Sequence, residues 1–134
     1  MKIFLDTNVL VSAFTARGLC EDLFRYLVAT HEIMTGEVNL QELCRVLAAR
    51  FQASPAQVEF VESQLRDQTI VPKPAVPSTV ELRDPDDGWV LASAEVGGAE
   101  MLISGDRDLL AVAGQSSVPI LSPRAAWEQL RQRE

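Results

Sequence analysis

The chain has 134 residues, 47% of them hydrophobic, which suits one globular domain over residues 1–134 with a core that needs no disulfide or structural metal. Its formal net charge of −7 argues against a broad basic surface for nucleic acid, so either carboxylate-held metal ions neutralise phosphate locally or the acidic surface serves a basic protein partner. No apolar run approaches the roughly 20 residues of a membrane span and no cleavable leader opens the sequence, so we expect a cytoplasmic protein.

The first third of the chain alternates between strand and helix patterns. KIFL is an apolar run too short for a helix and predicts a buried strand that ends at Asp6. Apolar residues at helical spacing then predict two helices, in NVLVSAF and in LCEDLFRYLVATH, and EIMT predicts the next strand. Cys20 and Cys44 fall in helical patterns without a CxxC motif or paired histidines. We expect both to be reduced thiols without a chemical role.

The segment from Val38 to Phe51 predicts an amphipathic helix, because apolar residues recur from Leu40 at i, i+3, i+4, i+7 and i+11. Glu42 interrupts an otherwise apolar row at the border of the buried face, and Arg45 is the only cation within i±3 or i±4 of it. A purely structural role therefore explains Glu42 less well than it explains the other acids. A further helix is predicted to begin at Ser54-Pro55.

The second half of the chain continues the alternation. TIVPKPAVPS contains three prolines, so only its beginning is expected to be a strand. A helix in WVLASAEV is predicted to end at Gly97-Gly98, followed by a strand at MLIS, a short helix at DLLAV, a strand at VPIL and a last helix from Ser122-Pro123. This order predicts a three-layer α/β/α domain with a mainly parallel central sheet of about four to five strands.

Several acidic residues lie at the positions where a parallel α/β fold forms its binding sites. Asp6 and Asp106 follow predicted strands, and binding sites lie beyond the carboxyl ends of parallel strands. Asp86 and Asp87 begin a helix, and we expect them to converge with Glu42 on the same rim. Carboxylates this close would repel one another without a cation, and Mg²⁺ or Mn²⁺ prefers oxygen ligands. With one histidine in the chain, a zinc site is not favoured.

Each of these acids also has a structural interpretation. Asp6 alone is as readily a helix cap as a metal ligand, and one of Asp86 and Asp87 is expected to cap the helix that they begin. Asp84, which precedes a proline, is expected to be a turn residue. Asp108 is expected to cap the short helix that follows it, with a secondary role near a metal.

Four stretches of the sequence resemble the PIN-domain family of ribonucleases. They are FLDTNVLVSA with Asp6, LQELCRVL with Glu42, DPDDGWVLASA with Asp87 and SGDRDLL with Asp106, in the family's order and over nearly the whole chain. The closing SPRAAWEQL is similar to the end of the VapC-like branch of bacterial toxin–antitoxin proteins. The resemblance implies a PIN-like α/β/α domain that binds Mg²⁺ or Mn²⁺ and cleaves RNA.

Residue by residue, the resemblance makes Asp6, Glu42, Asp87 and Asp106 the catalytic and metal-binding acids, with Asp108 as an auxiliary metal ligand. Residues expected to orient these acids, or to lie beside them as a cap, are Asn8, Asp86 and Ser104. The sequence departs from the family at Gly88-Trp89, where relatives often have polar or charged residues.

The predicted function is therefore that of a metal-dependent endoribonuclease, the toxin of a toxin–antitoxin pair. The resemblance also implies a homodimer and an inhibitory antitoxin, for which a segment carrying Arg or Lys would suit the acidic pocket. Two alternatives come from other classes: a regulatory PIN domain that binds RNA or a partner without catalysis, and a Mg²⁺-dependent phosphatase. The phosphatase is less favoured because DTN lacks the DxD pattern of aspartyl-phosphate enzymes.

Overall fold

The structure, a computed structural model, describes residues 1–132, so the last two residues of the predicted domain lie outside the described range. The strands are β1 (Lys2–Leu5), β2 (Glu32–Gly36), β3 (Thr69–Val71), β4 (Met101–Ile103) and β5 (Ile120–Leu121). The helices are α1 (Thr7–Thr15), α2 (Leu19–Thr30), α3 (Glu37–Arg50), α4 (Pro55–Arg66), α5 (Pro85–Val96), α6 (Arg107–Ala111) and α7 (Pro123–Gln132), with one 3₁₀ turn at Ala113–Gln115. None of the helices in this range has the length and apolar character needed to cross a bilayer.

The five strands form one all-parallel sheet in the order β3-β2-β1-β4-β5. In the central strand β1, Ile3 lies opposite Ile33 of β2 on one side and Met101 of β4 on the other. The chain moves outward from β1 to β3 and then returns through α5 to β4, so the direction of winding reverses between β1 and β4. Open parallel sheets form binding crevices at such a reversal. The predicted α/β/α fold with a mainly parallel sheet is confirmed.

Helices cover both faces of the sheet. Ile3 and Leu5 of β1 pack into the larger core, to which α1, α2, α3, α4 and α7 contribute, whereas Phe4 packs into the smaller core with α5 and α6. All three side chains are fully buried. A central parallel strand therefore needs apolar residues at consecutive positions, which explains the KIFL run.

The predicted helix boundaries at Ser54 and Gly97 are present in the structure. Ser54 Oγ accepts from the Gln57 N–H at 3.2 Å, and the Gln57 side chain accepts from the Ser54 N–H at 2.8 Å, which forms a capping box before α4. Gly97 follows α5 where a Cβ would lie 2.7 Å from Val71 Cγ2, so a side chain here would clash with the Val71 side chain of β3.

The two cysteines are free and partly buried in the helical layer. Burial raises the pKa of the Cys20 thiol, and burial likewise raises the pKa of the Cys44 thiol. Both thiols are thus protonated at neutral pH, which suits packing rather than reactivity.

Candidate metal centre

An open cleft of about 820 Å³ lies at the carboxyl ends of β1 and β4, where the winding of the sheet reverses. Asp6 directly follows β1, Asp106 follows β4, Asp87 lies in the first turn of α5, and Glu42 lies on α3. The acids that line the cleft are Asp6, Glu42, Asp84, Asp86, Asp87 and Asp106. The fold therefore brings together acids that are up to a hundred residues apart in the sequence.

Three carboxylates form a tight cluster, and two of them, Asp87 and Asp106, line this cleft. Asp87, Asp106 and Asp108 each offer one oxygen, and these oxygens all lie within 4.8 Å of one another. Asp87 is 7% exposed, and its Oδ2 has no hydrogen-bond partner within residues 1–132. A buried carboxylate oxygen without a donor is costly, and a cation among the three carboxylates would remove that cost. The residues therefore fit a hard divalent cation with oxygen ligands, such as Mg²⁺ or Mn²⁺.

The electrostatics of the cluster lead to the same conclusion. Burial, followed by the negative charges of Asp106, Asp84, Asp6 and Asp108, raises the pKa of Asp87 to about 7. Without a cation, burial and the neighbouring negative charges therefore favour the protonated form of Asp87. A bound cation would favour the ionised carboxylate and would oppose this rise in pKa.

Asp6 is held by four hydrogen bonds. Its Oδ1 accepts from the Thr7 N–H at 2.8 Å and from Asn39 Nδ2 at 3.0 Å. Its Oδ2 accepts from Ser104 Oγ at 2.7 Å and from Asn8 Nδ2 at 3.0 Å. A carboxylate offers about four acceptor positions, so direct ligation of a cation would require Asp6 to give up one of these bonds. The Thr7 bond also caps α1, so Asp6 caps a helix and lines the cleft at once.

Asp6 is subject to the negative charges of Asp106 and Glu42, although neither Asp6 nor Glu42 belongs to the three-carboxylate group. Burial raises the pKa of Asp6, the hydrogen bonds from Ser104 and Thr7 oppose this, and the charges of Asp106 and Glu42 raise it further. Glu42 is exposed on the wall of the cleft. The acids from β1, α3 and β4 are therefore electrostatically coupled.

The prediction that Asp86 caps α5 is wrong, because Asp84 does so. Asp84 Oδ1 accepts from the Asp86 N–H at 3.0 Å, and Pro85 occupies the first helical position. A proline has no N–H to be capped and suits the first position of a helix, so the cap falls on the residue before it. Asp86 is exposed, and Asp84 is a cap rather than only a turn residue.

The prediction that Asp108 caps the short helix α6 is also wrong. Asp106 Oδ1 accepts from the Asp108 N–H at 2.7 Å and from the Leu109 N–H at 3.4 Å, so α6 begins two residues earlier than expected. Asp108 lies in the first turn, with its carboxylate in the cluster with Asp87 and Asp106. Asp106 thus has one oxygen engaged in capping.

Asn39 is a site residue that the sequence analysis missed. It is 1% exposed, and its Nδ2 donates to Asp6 Oδ1 and, at 2.9 Å, to Thr7 Oγ1. The side chain fits because residue 36 is glycine: a Cβ on Gly36 would lie 2.8 Å from Asn39 Oδ1. The available signal was its position one turn before Glu42 on the same helix.

Cations and aromatic rings line the cleft beside the acids. Lys73 Nζ lies 4.7 Å from the centre of the Trp89 ring. Arg45 and Arg50 line the cleft from α3, with Phe51 directly after that helix. Within residues 1–132, the ion pairs of the protein involve none of these three cations. They therefore retain charges that are available to a ligand.

The family model of the PIN domain matches residues 3–115, which include β2, β3, β4, all of β1 except Lys2, and every acid of the cleft. The chain therefore belongs to the PIN domain family. No curated protein matches the sequence significantly.

Solved structures with the same fold come from several bacteria. VapBC2 from Rickettsia felis, bound to a DNA fragment from its promoter, has a TM-score of 0.60 and 14% identity over 90% of this chain and 97% of the other. VapC20 from Mycobacterium tuberculosis, a toxin that cleaves the sarcin–ricin loop, has a TM-score of 0.60 and 18% identity over 82% and 94%. FitAcB from Neisseria gonorrhoeae has a TM-score of 0.58 and 14% identity over 90% and 97%. At these sequence identities, the similarity shows that this chain shares the fold of these proteins.

Proposed function

We propose that the protein is a metal-dependent endoribonuclease and the toxin of a toxin–antitoxin pair. The observation that carries the proposal is the buried Asp87 carboxylate: its Oδ2 has no donor within residues 1–132, and one of its oxygens lies within 4.8 Å of oxygens of Asp106 and Asp108. If this group served only the stability of the fold, we would expect it to be paired with a donor or a cation or to be replaced by a neutral side chain. A PIN domain that retains this cluster is best explained by a site kept for a divalent cation.

Asp87, Asp106 and Asp108 would hold Mg²⁺ or Mn²⁺, with Asp87 fully ionised. When bound, the ion would activate water for attack on a phosphodiester and stabilise the leaving oxygen. Asp6 and Glu42, the other acids of the predicted catalytic set, would add negative charge to the cleft. Residues that fix the Asp6 carboxylate by direct hydrogen bonds would be Asn8, Asn39 and Ser104.

RNA as substrate and toxicity as outcome are supported by the proteins that share the fold. VapC20 is a toxin that cleaves the sarcin–ricin loop, an RNA element, and VapBC2 and FitAcB are likewise similar to this chain in fold. The cleft is open at the surface and can admit a polymer that is cut internally. The chain is thus proposed to cut within an RNA.

The test is cleavage of a panel of structured and single-stranded RNAs with Mg²⁺, with Mn²⁺ and with EDTA. Asp87→Asn should lower the rate by at least about 100-fold, because changes even to groups outside the ligand shell cost about 10–100-fold. Asp67→Asn, at an exposed position after α4, is the matched control and should cleave at the parent rate. Cleavage that survives both EDTA and Asp87→Asn would contradict the proposal. Folded protein that binds Mn²⁺ but cuts no RNA would instead favour a regulatory PIN domain.

We also propose that this chain is a cytoplasmic homodimer. A protein antitoxin that carries a basic segment would inhibit it. The acidic cleft and the net charge of −7 suit a basic inhibitor. An apolar groove that includes Phe14, Leu47 and Phe60 adjoins the cleft, and Phe51 lines both. An Arg-rich peptide should therefore inhibit cleavage in a salt-sensitive manner, and sedimentation should give the mass of a dimer. Inhibition unchanged by salt, or a monomer at all concentrations, would contradict these parts of the proposal.

A further inference from the structure

We propose that Trp89 and Lys73 form a nucleotide-binding subsite beside the acid cluster. The Trp89 ring would stack on a base of single-stranded RNA, and the Lys73 ammonium would contact a neighbouring phosphate. This inference rests on the proposed ribonuclease function, because it concerns how the same cleft holds its substrate. It also assigns a purpose to the Gly88-Trp89 pair, at which the sequence departs from its family.

Trp89 is placed next to the acids by the helix that carries both. It follows Asp87 by two residues in α5, and both side chains line the cleft. A ring at this position would meet a nucleotide adjacent to the bond that is cut. Every base has a flat face, so stacking on an aromatic ring binds single strands with little sequence preference.

The segment from β3 to α5 holds Lys73 over this ring. Lys73 lies between Pro72 and Pro74: each proline ring fixes its own φ angle, and Pro74 favours extended backbone at the lysine that precedes it. The ammonium is 4.7 Å from the Trp89 ring centre, within the range of a cation–π contact. The backbone of the segment thus brings a cation to the cleft with little loss of freedom on binding.

Contacts farther along the same segment attach it to α5. The Ser78 N–H donates to the Gly88 carbonyl at 2.9 Å, and Ser78 Oγ donates to Glu95 Oε2 at 3.2 Å. A Cβ on Gly88 would lie 3.4 Å from Pro77 Cβ, an ordinary van der Waals contact, so the segment packs directly over this position of the helix. The segment is therefore attached to α5 at Gly88, and its lysine lies over the ring of the next residue, Trp89.

The chemistry of the pair suits a nucleotide better than an acidic partner. Lys73 forms no ion pair within residues 1–132 and instead lies over an aromatic face. A nucleotide offers a partner to each group, since the base can replace the ammonium on the ring while the ammonium moves to the phosphate. Stacking of a base on an accessible ring is generally stronger than an exposed cation–π contact, so the exchange is favourable.

The negative charges of the cleft make a cation such as Lys73 necessary for binding a nucleic-acid strand. The acids that would hold the metal repel phosphate wherever no cation neutralises them, so a strand that enters the cleft needs positive charge along its path. Lys73 provides it from the β3–α5 segment, and Arg45 and Arg50 provide it from α3. Lys73 alone among these three lies over an aromatic ring of the cleft.

The experiment measures binding of a short 2′-O-methyl RNA of mixed sequence, which resists cleavage, in the presence of Mg²⁺. We expect Trp89→Leu to weaken binding about tenfold, which corresponds to about 1.4 kcal/mol. Lys73→Gln should weaken it about threefold and lower the slope of log affinity against log salt by about 0.7. In steady-state cleavage both variants should raise KM more than they lower kcat.

The chain offers a matched control in α7, where Arg131 lies 5.0 Å from the Trp127 ring and neither residue lines the cleft. Arg131→Gln should bind RNA like the parent. Since the chain has two tryptophans, a Trp127→Phe protein reports on Trp89 alone, and RNA should quench its fluorescence. Lys73 is exposed, so its variant separates loss of binding from loss of fold.

Parent-level binding and KM in both Trp89→Leu and Lys73→Gln would overturn the subsite and leave the ribonuclease proposal intact. Quenching that disappears in Trp127→Phe would also overturn it, because RNA would then contact the other tryptophan. A parent protein that neither binds nor cuts RNA would overturn both proposals. Weaker binding in both variants, with Arg131→Gln unchanged, would establish the subsite.

Discussion

Replacing Asp87 by asparagine should make the metal-free protein more stable at alkaline pH while removing its activity. Burial and the surrounding acids raise the pKa of this carboxyl from its ordinary value of 3.8 to about 7. Because the pKa is raised on folding, the folded state binds the proton more tightly than the unfolded state. Stability is therefore lost as pH rises from about 3.8 to about 7, and the cost is fully present above pH 7.

The size of the effect follows from the pKa values. A rise from 3.8 to about 7, at 1.36 kcal/mol for each unit, sets an upper limit of about 4 kcal/mol on the stability lost above pH 7, because solvent at the open cleft screens the surrounding charges. Near pH 5.5 the same two pKa values give a loss of stability of about 2 kcal/mol, because the carboxyl is ionised in the unfolded state and protonated in the folded state. The gain in unfolding free energy from Asp87→Asn should thus increase by about 2 kcal/mol between about pH 5.5 and about pH 8. The asparagine amide also has acceptors nearby in the Asp106 and Asp108 carboxylates.

The assay is urea unfolding of the parent and Asp87→Asn in EDTA at both pH values. Asp86→Asn is the matched control, because Asp86 is the preceding residue of the same helix but is exposed, and it should change stability by less than about 0.5 kcal/mol. Mn²⁺ should stabilise the parent far more than Asp87→Asn, since only the parent has the complete cluster. A gain that does not depend on pH, or an equal gain in Asp86→Asn, would refute the electrostatic reasoning.

Three further substitutions test the surroundings of the cleft by thermal or urea unfolding. Gly36→Ala should cost about 1–3 kcal/mol, because its Cβ would lie 2.8 Å from Asn39 Oδ1; an unchanged stability would mean that Asn39 moves freely. Asp84→Ala should cost about 1 kcal/mol by removing the cap of α5, and a larger loss in Asp86→Ala would contradict that assignment. Leu102→Ala, at a fully buried position of β4, should cost about 2–5 kcal/mol, and a smaller loss would mean that the core repacks.

Most of the fold could be predicted because its strands are buried on both faces. KIFL is an apolar run, EIMT was predicted as the next strand after it, and both are strands of the sheet. The order of the strands could not be read from any segment, since it depends on contacts between residues far apart, such as Ile3 opposite Met101. β5 spans only Ile120–Leu121, a shorter strand than the VPIL pattern indicated.

The errors at the site concern which of several neighbouring acids caps a helix. Asp84, Asp86 and Asp87 all have the right side chain, and the deciding feature was Pro85, which marks the first helical position. Asn39 was missed for a different reason. A single polar residue in an amphipathic helix gives no sign that it is buried, and its role arises only when Asp6, 33 residues away in sequence, is brought against it.

The claim that Asp87, Asp106 and Asp108 hold a divalent cation can be tested most directly in crystals grown with Mn²⁺, by anomalous scattering. The account predicts one strong manganese peak in contact with the carboxylates of these three residues, and its loss in Asp87→Asn crystals grown in the same way. Manganese bound elsewhere with this cluster left empty, or a peak that persists unchanged in the variant, would contradict it.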